Sequence, residues 1–518
     1  MNLLNQKTTT IDSCMRHLYA IIVISLIINA LECSEKLEVK STEPLKILLL
    51  PFGNQSHLFH MHGIGRELLE RGHRVHLVLC HDESLHEDLA SAGYVLKRHQ
   101  GNSFGSFIPH QAEWFQSIRN GTSLFQKLWG LVGPFRAQRE IAVESCRREL
   151  SDSKFLSDLA SESYNIALID CVNSCAYLVA SYLHIEYVTL SFAMATFVPR
   201  APFLPSVQVG DLSLFDSDYL FGAGFFSRLS RFLAHYMAHV FLKELFLPVQ
   251  DMAPIVNMSG DLNRFWEQSS LFIFDFEPLF ADEYFPEQGN VVIASGLTTE
   301  KVDIISDPEI RHIADNAKEG IIFFHMGTYL RRIPVDILLL IIESVQGMKQ
   351  HLLMKLDADI IEEVKSHEAI RRNVLLSSRL VPNEILGHKN TILFITHCGH
   401  CGRSEALYHG VPILAIPVMV DQLGKSREVV ERGFGLRVDV AHLAEEFPAA
   451  LHEMLSNESY LKAIRRASAI VRSRTKPAVR AVAAIEHVIR FGSQHLRPHR
   501  AYELSYWQFY MGDIFLFL

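Results

Sequence analysis

An apolar run broken only by Lys46 extends from Leu45 to Pro51, too short for a helix and patterned like a strand buried on both faces. A glycine-bearing loop follows. Apolar positions then recur at helical spacing from Met61 to Arg71, Gly72-His73 ends that pattern, and Arg74 to Cys80 is a second strand-like run. Parallel neighbours need a helical crossover where antiparallel ones need only a turn, so this order predicts a parallel sheet. It recurs as a strand at Ile166 to Ile169, a helix at Cys175 to Leu183 and a strand at Tyr187 to Leu190. The second half begins again with a strand at Ile321 to Phe324, a turn at Gly327, a helix at Pro334 to Gln346, and strands at His351 to Lys355 and Ile392 to Thr396. The pattern predicts an α/β protein of two Rossmann-like, doubly wound parallel-sheet domains facing a cleft. Ligands bind outside the carboxyl ends of parallel strands, which is where catalytic and phosphate-binding groups are expected.

Residues 286 to 320 turn polar and rich in glycine and proline, marking a link between the halves. The organisation read from the sequence is a signal peptide at 1–33, an acceptor-binding domain at 44–290, a linker at 291–318, a donor-binding domain at 319–478, and a C-terminal helix with an aromatic, membrane-proximal tail at 479–518. Phe221 to Phe246 is long, apolar and aromatic with basic residues along it. It suits a membrane surface, an acceptor cavity or plain core packing, and the pattern does not choose among them.

The length, 518 residues with 48% hydrophobic content, supplies two cores and excludes a disordered chain. A net charge of -9 with scattered Lys and Arg gives no footprint for nucleic acid. Leu18 to Leu31 is apolar for roughly 14 residues, short of the roughly 20 of a spanning helix, and reads as a secretory signal, with an uncleaved anchor as its rival. The secretory pathway, in the endoplasmic reticulum lumen or associated with its membrane, is the expected location, with secretion the expectation if the C-terminus is complete. Cys14 and Cys33 fall in that leader, and the remaining Cys80, Cys146, Cys171, Cys175, Cys398 and Cys401 are too few for a disulfide scaffold, though an oxidising lumen allows one or two bridges of unreadable pairing. Glycosylation sequons begin at Asn120, Asn257 and Asn457, and a fourth, at Asn54, lies in a loop assigned to chemistry.

The strongest chemical signal is Phe394-Ile395-Thr396-His397-Cys398-Gly399-His400-Cys401-Gly402-Arg403-Ser404-Glu405, continuing to Gly410 and Pro412. A buried strand delivers the chain into a glycine turn, and the helix that follows offers free N–H groups and the positive end of its dipole to an anion. His397 can donate a further hydrogen bond, and Glu405 offers acceptors to ribose hydroxyls. The segment, with Ile416-Pro417 and Asp421-Gln422 after it, resembles the signature of the UDP-glycosyltransferase family that includes the glucuronosyltransferases. The likeness extends over nearly the whole mature chain, through Glu431-Arg432-Gly433-Phe434-Gly435-Leu436 to the tail Ser505-Tyr506-Trp507-Gln508-Phe509-Tyr510.

That resemblance implies a GT-B fold and an inverting transfer from a UDP-sugar co-substrate, without a metal or other cofactor, to a small lipophilic acceptor. It implies that His397, Gly399 and Glu405 hold the diphosphate and ribose and that Asp421 and Gln422 hold the sugar, with Cys398, Gly402, Gly327 and Thr328 completing the donor site. Ser56-His57-Leu58 resembles the family's catalytic-histidine loop and Ile169-Asp170 its partner aspartate, making His57 the base and Asp170 its support; His60 and His62 are neighbouring decoys. Several positions depart: Ser378 to Asn383 lacks the Trp and Gln of the usual uracil-stacking element, Cys401-Gly402 replaces Asn-Ser, and His325-Met326-Gly327-Thr328 keeps only a glycine and a hydroxyl of Ser-x-Gly-Ser. These departures motivate a second reading, a weakened or inactive relative that binds a lipophile or a protein partner. A third, a zinc or redox site at His397, Cys398, His400 and Cys401, lacks a second ligand pair, since Cys171 with Cys175 sits poorly in a strand-to-helix turn. Glucose against glucuronate, the acceptor, contact with a membrane surface and homo-oligomerisation are left open. After the aromatic tail only Ile514 to Leu518 remains, which cannot cross a bilayer.

Overall fold

The computed structural model describes residues 44–53, 55–80, 86–101, 119, 139–192, 248–256, 268–280, 289–328, 330–367, 370–418, 420–497, 503–509 and 512–517. The leader, Phe221 to Phe246, the loops beyond Gly101 and Phe192, and the sequons at Asn54, Asn120 and Asn257 lie outside them.

The first sheet holds β1 (Lys46–Leu50), β2 (Arg74–Cys80), β3 (Val95–His99), β4 (Ile166–Asp170), β5 (Tyr187–Ser191), β6 (Leu271–Phe274) and β7 (Val291–Ile293), in the order β3-β2-β1-β4-β5-β6-β7. The second holds β8 (Ile321–His325), β9 (His351–Lys355), β10 (Val374–Ser377), β11 (Thr391–Thr396), β12 (Ile413–Ala415) and β13 (Gly435–Arg437), in the order β10-β9-β8-β11-β12-β13. All the pairings are parallel, with Leu48 opposite Ala167 and Phe394 opposite Phe323. Both orders reverse direction beside the first strand, between β1 and β4 and between β8 and β11, and a crevice opens outside the carboxyl ends at such a reversal. Helices cover the strands, which accounts for β4, β5 and β8 being buried along their whole length.

The helices that bear on the site are α1 (Gln55–Glu70), α2 (Ser174–Tyr182), α3 (His400–His409), α4 (Val420–Glu431) and α5 (Pro477–Phe491). Helix α1 starts six residues before the predicted Met61, so His57 stands in a first helical turn and not in a loop. The apolar pattern registers only where the helix lies on the sheet, through Met61, Ile64 and Leu68, while its first turn projects polar residues past the strand ends. Val291–Ile293, inside the predicted link, is the edge strand of the first sheet and pairs with β6. The C-terminal helix also returns to that domain, where the Glu486 carboxylate accepts from Arg71 Nη1 at 2.8 Å and pairs with His73 Nε2 at 2.9 Å, and Arg474, in the turn before the helix, donates to Glu277 at 2.9 Å. The aromatic tail forms short helical turns with Trp507, Ile514, Leu516 and Phe517 exposed. Among the described residues no helix is long and apolar enough to cross a membrane.

Cys175, on α2, forms a disulfide with Cys146 in helical residues 139–151, which removes it from any metal site with Cys171. The bridge closes a separation of 29 residues in the first core. Replacing both cysteines with alanine should lower the unfolding free energy by about 3.6 kcal/mol on loop-closure grounds. Urea melts of the two proteins measure it, and coincident midpoints would show that the bridge constrains nothing that matters.

Candidate functional site

His57 and His60 lie three positions apart on α1, hence on one face of the helix, and each meets an aspartate at the carboxyl end of a strand. His57 Nδ1 is 2.8 Å from Asp170 Oδ2 at the end of β4. Asp170 is fully buried, and its Oδ1 accepts from the Val172 N–H at 3.0 Å. With Nδ1–H donated to the carboxylate, His57 presents Nε2 to whatever enters, flanked by the rings of Phe52 at 5.1 Å and Phe192 at 4.2 Å. The His57 side chain is 13% exposed, so it is reachable. The two residues singled out from sequence therefore stand together at the first reversal point.

His60 makes the second pair, with Nδ1 2.7 Å from Asp275 Oδ2 just beyond β6. Asp275 also accepts from the backbone N–H groups of Gly296 at 2.6 Å and Leu297 at 3.1 Å. That turn approaches α1 so closely that a Cβ on Gly63 would lie 2.3 Å from the Leu297 carbonyl oxygen, which is why a glycine stands there. From the second domain, His400 Nε2 comes to 3.4 Å from Asp275 Oδ1 and Cys401 Sγ to 3.3 Å from His60 Nε2. Burial works against a charged His60, but the Cys401 sulfur and the Asp275 carboxylate outweigh it and hold the imidazole above its ordinary value. Burial wins at His400, pushed down to about 4. His60, Asp275 and His400 offer ligand atoms that all lie within 4.8 Å of one another, a grouping suited to a metal ion. His60 thus has a structural place of its own, and neither Asp275 nor the partnership of His400 was marked by the sequence pattern.

The glycine turn after β11 has the expected form. Gly399 caps α3 in an extended conformation, and the helix begins at His400. His397 is buried and is packed between glycines: a Cβ on Gly327 would lie 2.4 Å from its ring, and one on Gly399 2.3 Å. Burial holds its pKa down at about 4, so the ring is neutral, with Nδ1 3.2 Å from the Thr396 hydroxyl. Gly327 and Thr328 follow β8 at the second reversal point. Cys398 takes a left-handed φ of 64°, and its thiol, pushed up to about 12 by burial, belongs to the apolar core; its backbone alone serves the turn. The ligand cluster of His397, Cys398, His400 and Cys401 weighed from sequence is therefore not assembled. Gly402 packs α3 onto Phe394. Asp421, at the start of α4, pairs with Lys425 at 2.8 Å, whereas Gln422 is buried and its Oε1 accepts from the Val418 N–H at 2.9 Å, so that oxygen shapes the loop. Lys355, at the end of β9, donates to the Leu380 carbonyl at 2.6 Å and is a half-buried cation near Glu405 that no motif announced. Burial raises the Glu405 carboxyl to about 8, with His60 and Lys355 opposing it.

Residues 45–518 match the family model described as UDP-glucoronosyl and UDP-glucosyl transferase. Similar proteins include the UDP-glucuronosyltransferase 1A6 of Mus musculus, 25% identical over 490 residues, and the UDP-glucuronosyltransferase 1A1 of Homo sapiens, 26% identical over 494; each alignment covers 91% of this chain and 88% of the relative. Among solved structures, the glycotransferase of kitacinnamycin superposes with a TM-score of 0.58 at 17% identity, covering 86% of this chain and all of that one. The glycosyltransferase VinC in complex with dTDP gives 0.56 at 14%, covering 86% and 100%. These structural likenesses are of fold: two Rossmann-like domains in the GT-B arrangement.

The Glu405 carboxyl has a folded pKa near 8 against an ordinary 4.5, so the folded state holds that proton more tightly than the unfolded chain. Stability is consequently lost as pH rises from the ordinary value through about 8. Glu405→Gln, which cannot ionise, should gain on the wild type across that window and melt several degrees higher at pH 8.5 while differing little at pH 4.5. A separation of melting temperatures that stays constant with pH would show that Glu405 ionises normally.

Proposed function

The chain belongs to the UDP-glucuronosyl and UDP-glucosyl transferase family, and from that premise we propose that it transfers glucuronic acid or glucose from the UDP conjugate to a hydroxyl of a small lipophilic acceptor, with inversion. The observation that carries the reading is the hydrogen bond between His57 and Asp170 at the reversal point of the first sheet. A histidine whose Nδ1–H is fixed by a buried carboxylate keeps Nε2 as an acceptor of protons and has its imidazolium stabilised once the proton arrives.

In the proposed step Nε2 of His57 takes the acceptor O–H proton as the oxygen forms a bond to the anomeric carbon. The bond from that carbon to the diphosphate oxygen breaks on the opposite face, and the electron pair leaves with UDP. Backbone N–H groups at the start of α3 receive the negative charge, with the neutral His397 ring as a further donor. Glu405, neutral or ionised, can bond ribose hydroxyls, and Asp421 can accept from the sugar. The aromatic rings of Phe52 and Phe192 beside His57 favour a lipophilic acceptor. The Cys146–Cys175 disulfide fits a protein of the oxidising secretory lumen.

The test is acceptor-dependent UDP release with UDP-glucose and UDP-glucuronate in turn, against a panel of simple phenols. The wild type should release UDP with one of the two donors. His57→Ala should lose on the order of 10²- to 10⁴-fold in kcat, the usual share of a general base, and Asp170→Asn should fall with it while UDP binding persists in both. Wild-type protein that binds UDP yet releases none over the panel would replace this reading with that of a binding protein.

A further inference from the structure

Asp275 and the two histidines around it are not needed for the transfer step, and they are arranged as a site of their own. We propose that His60 through Nδ1, Asp275 through its carboxylate and His400 through Nε2 bind one divalent transition-metal ion of the zinc class, tying the two sheet domains together. Imidazole nitrogens with one carboxylate are the donor set such ions prefer, and three protein ligands with one open position make a tetrahedral site.

Three observations carry this. The three ligand atoms lie within 4.8 Å of one another. A tetrahedral zinc site spaces its nitrogen and oxygen ligands roughly 3.3 Å apart, given metal–ligand bonds near 2.0–2.1 Å. His400 Nε2 lies 3.4 Å from Asp275 Oδ1 and His60 Nδ1 2.7 Å from Asp275 Oδ2, so the two nitrogens approach the two oxygens of one carboxylate, and the shorter contact must open for an ion to enter on a single oxygen. Second, the His400 side chain is only 8% exposed, yet its Nε2 makes no hydrogen bond among the described residues. It approaches Asp275 without the geometry of a bond, and a buried polar nitrogen left so is costly unless something satisfies it. Third, the surroundings supply the outer support that ligating groups use. Asp275 is oriented by the Gly296 and Leu297 N–H groups, and with Nδ1 on the metal the Nε2–H of His60 is left to donate to Cys401 Sγ at 3.3 Å. The His60 ring is further held by Phe192, stacked at 4.5 Å with 9° between planes.

The ligands come from both domains, His60 from α1 and Asp275 from beyond β6 in the first, His400 from the start of α3 in the second. A bound ion would therefore cross-link the domains beside the glycine turn and leave one position for water or an anion. Metal binding can be measured on its own, without donor or acceptor, so its failure is separate from any failure of the transferase reading.

The experiment is a titration of the untagged full chain, stripped with chelator and dialysed, with Zn²⁺ by calorimetry and with Co²⁺ by visible absorption. The expected result is one equivalent bound, d–d bands of four-coordinate cobalt, and a higher melting temperature with metal. His400→Ala should weaken binding by about 100-fold and abolish the thermal shift, while Cys401→Ser keeps the stoichiometry and loses about 10-fold, as outer-shell changes do. His400→Ala removes no hydrogen bond seen among the described residues, and a wild-type-like circular dichroism spectrum verifies that it folds. Equal zinc binding by wild type and His400→Ala would assign the metal to other histidines and overturn the site. So would an intense sulfur-to-cobalt charge-transfer band abolished in Cys401→Ser, because sulfur would then be a ligand in place of the set named here.

Discussion

A carboxylate set at the end of a buried parallel strand has no water to ionise into, so Asp170 and Asp275 must be answered by donors brought from elsewhere in the chain. One helix supplies both answers. Residues three apart on α1 face the same way, and the ends of β4 and β6, separated by the single strand β5, are spaced to receive His57 and His60. Backbone N–H groups at Val172, Gly296 and Leu297 satisfy remaining oxygen lone pairs. The requirement that buried carboxylates be fully partnered thus fixes the register of α1 over the sheet and holds His57 at the strand ends.

The same physics explains what could be read from the sequence. Strands buried on both faces are runs of Ile, Leu, Val and Phe, and Leu45 to Pro51, Arg74 to Cys80 and His351 to Lys355 declare themselves on that account. The short strands Ile413–Ala415, Gly435–Arg437 and Val291–Ile293, three residues each, carry too few positions to show a period. His57 and Asp170 were legible because Ser56-His57-Leu58 and Ile169-Asp170 resemble the family's catalytic-histidine loop and partner aspartate, each beside a strand the pattern shows. Asp275 was not: no motif marks it after Leu271–Phe274, and its partners His60 and His400 lie 215 and 125 positions away, beyond the reach of spacing arguments.

In the second domain the controlling constraint is volume. His397 sits so close to Gly327 and Gly399 that neither position has room for a methyl group, and the neighbouring Cys398 is held in left-handed backbone with its sulfur in the core. The chain gives up side chains on either side of one neutral imidazole to bring backbone N–H groups and that ring to a single point. Side chains that look like ligands on paper, Cys398 above all, are consumed by this packing. Gln422 is a parallel case, with one polar end committed to the Val418 N–H.

The two histidine–aspartate pairs have nearly equal geometry, 2.8 Å and 2.7 Å, so hydrogen-bond length alone cannot tell which one does chemistry. Accessibility does. His57 is 13% exposed and has Nε2 directed away from its carboxylate, whereas His60 is 1% exposed and has Nε2 already engaged by Cys401. The proposed base must reach a proton on a molecule that arrives from solvent, and of the two histidines His57 is the one open to it. A ligand must be held still by its other nitrogen and shielded from competing water, and His60 meets that requirement. One helix therefore carries two imidazoles of the same type, and the depth to which each is buried separates the proposed base from the proposed ligand.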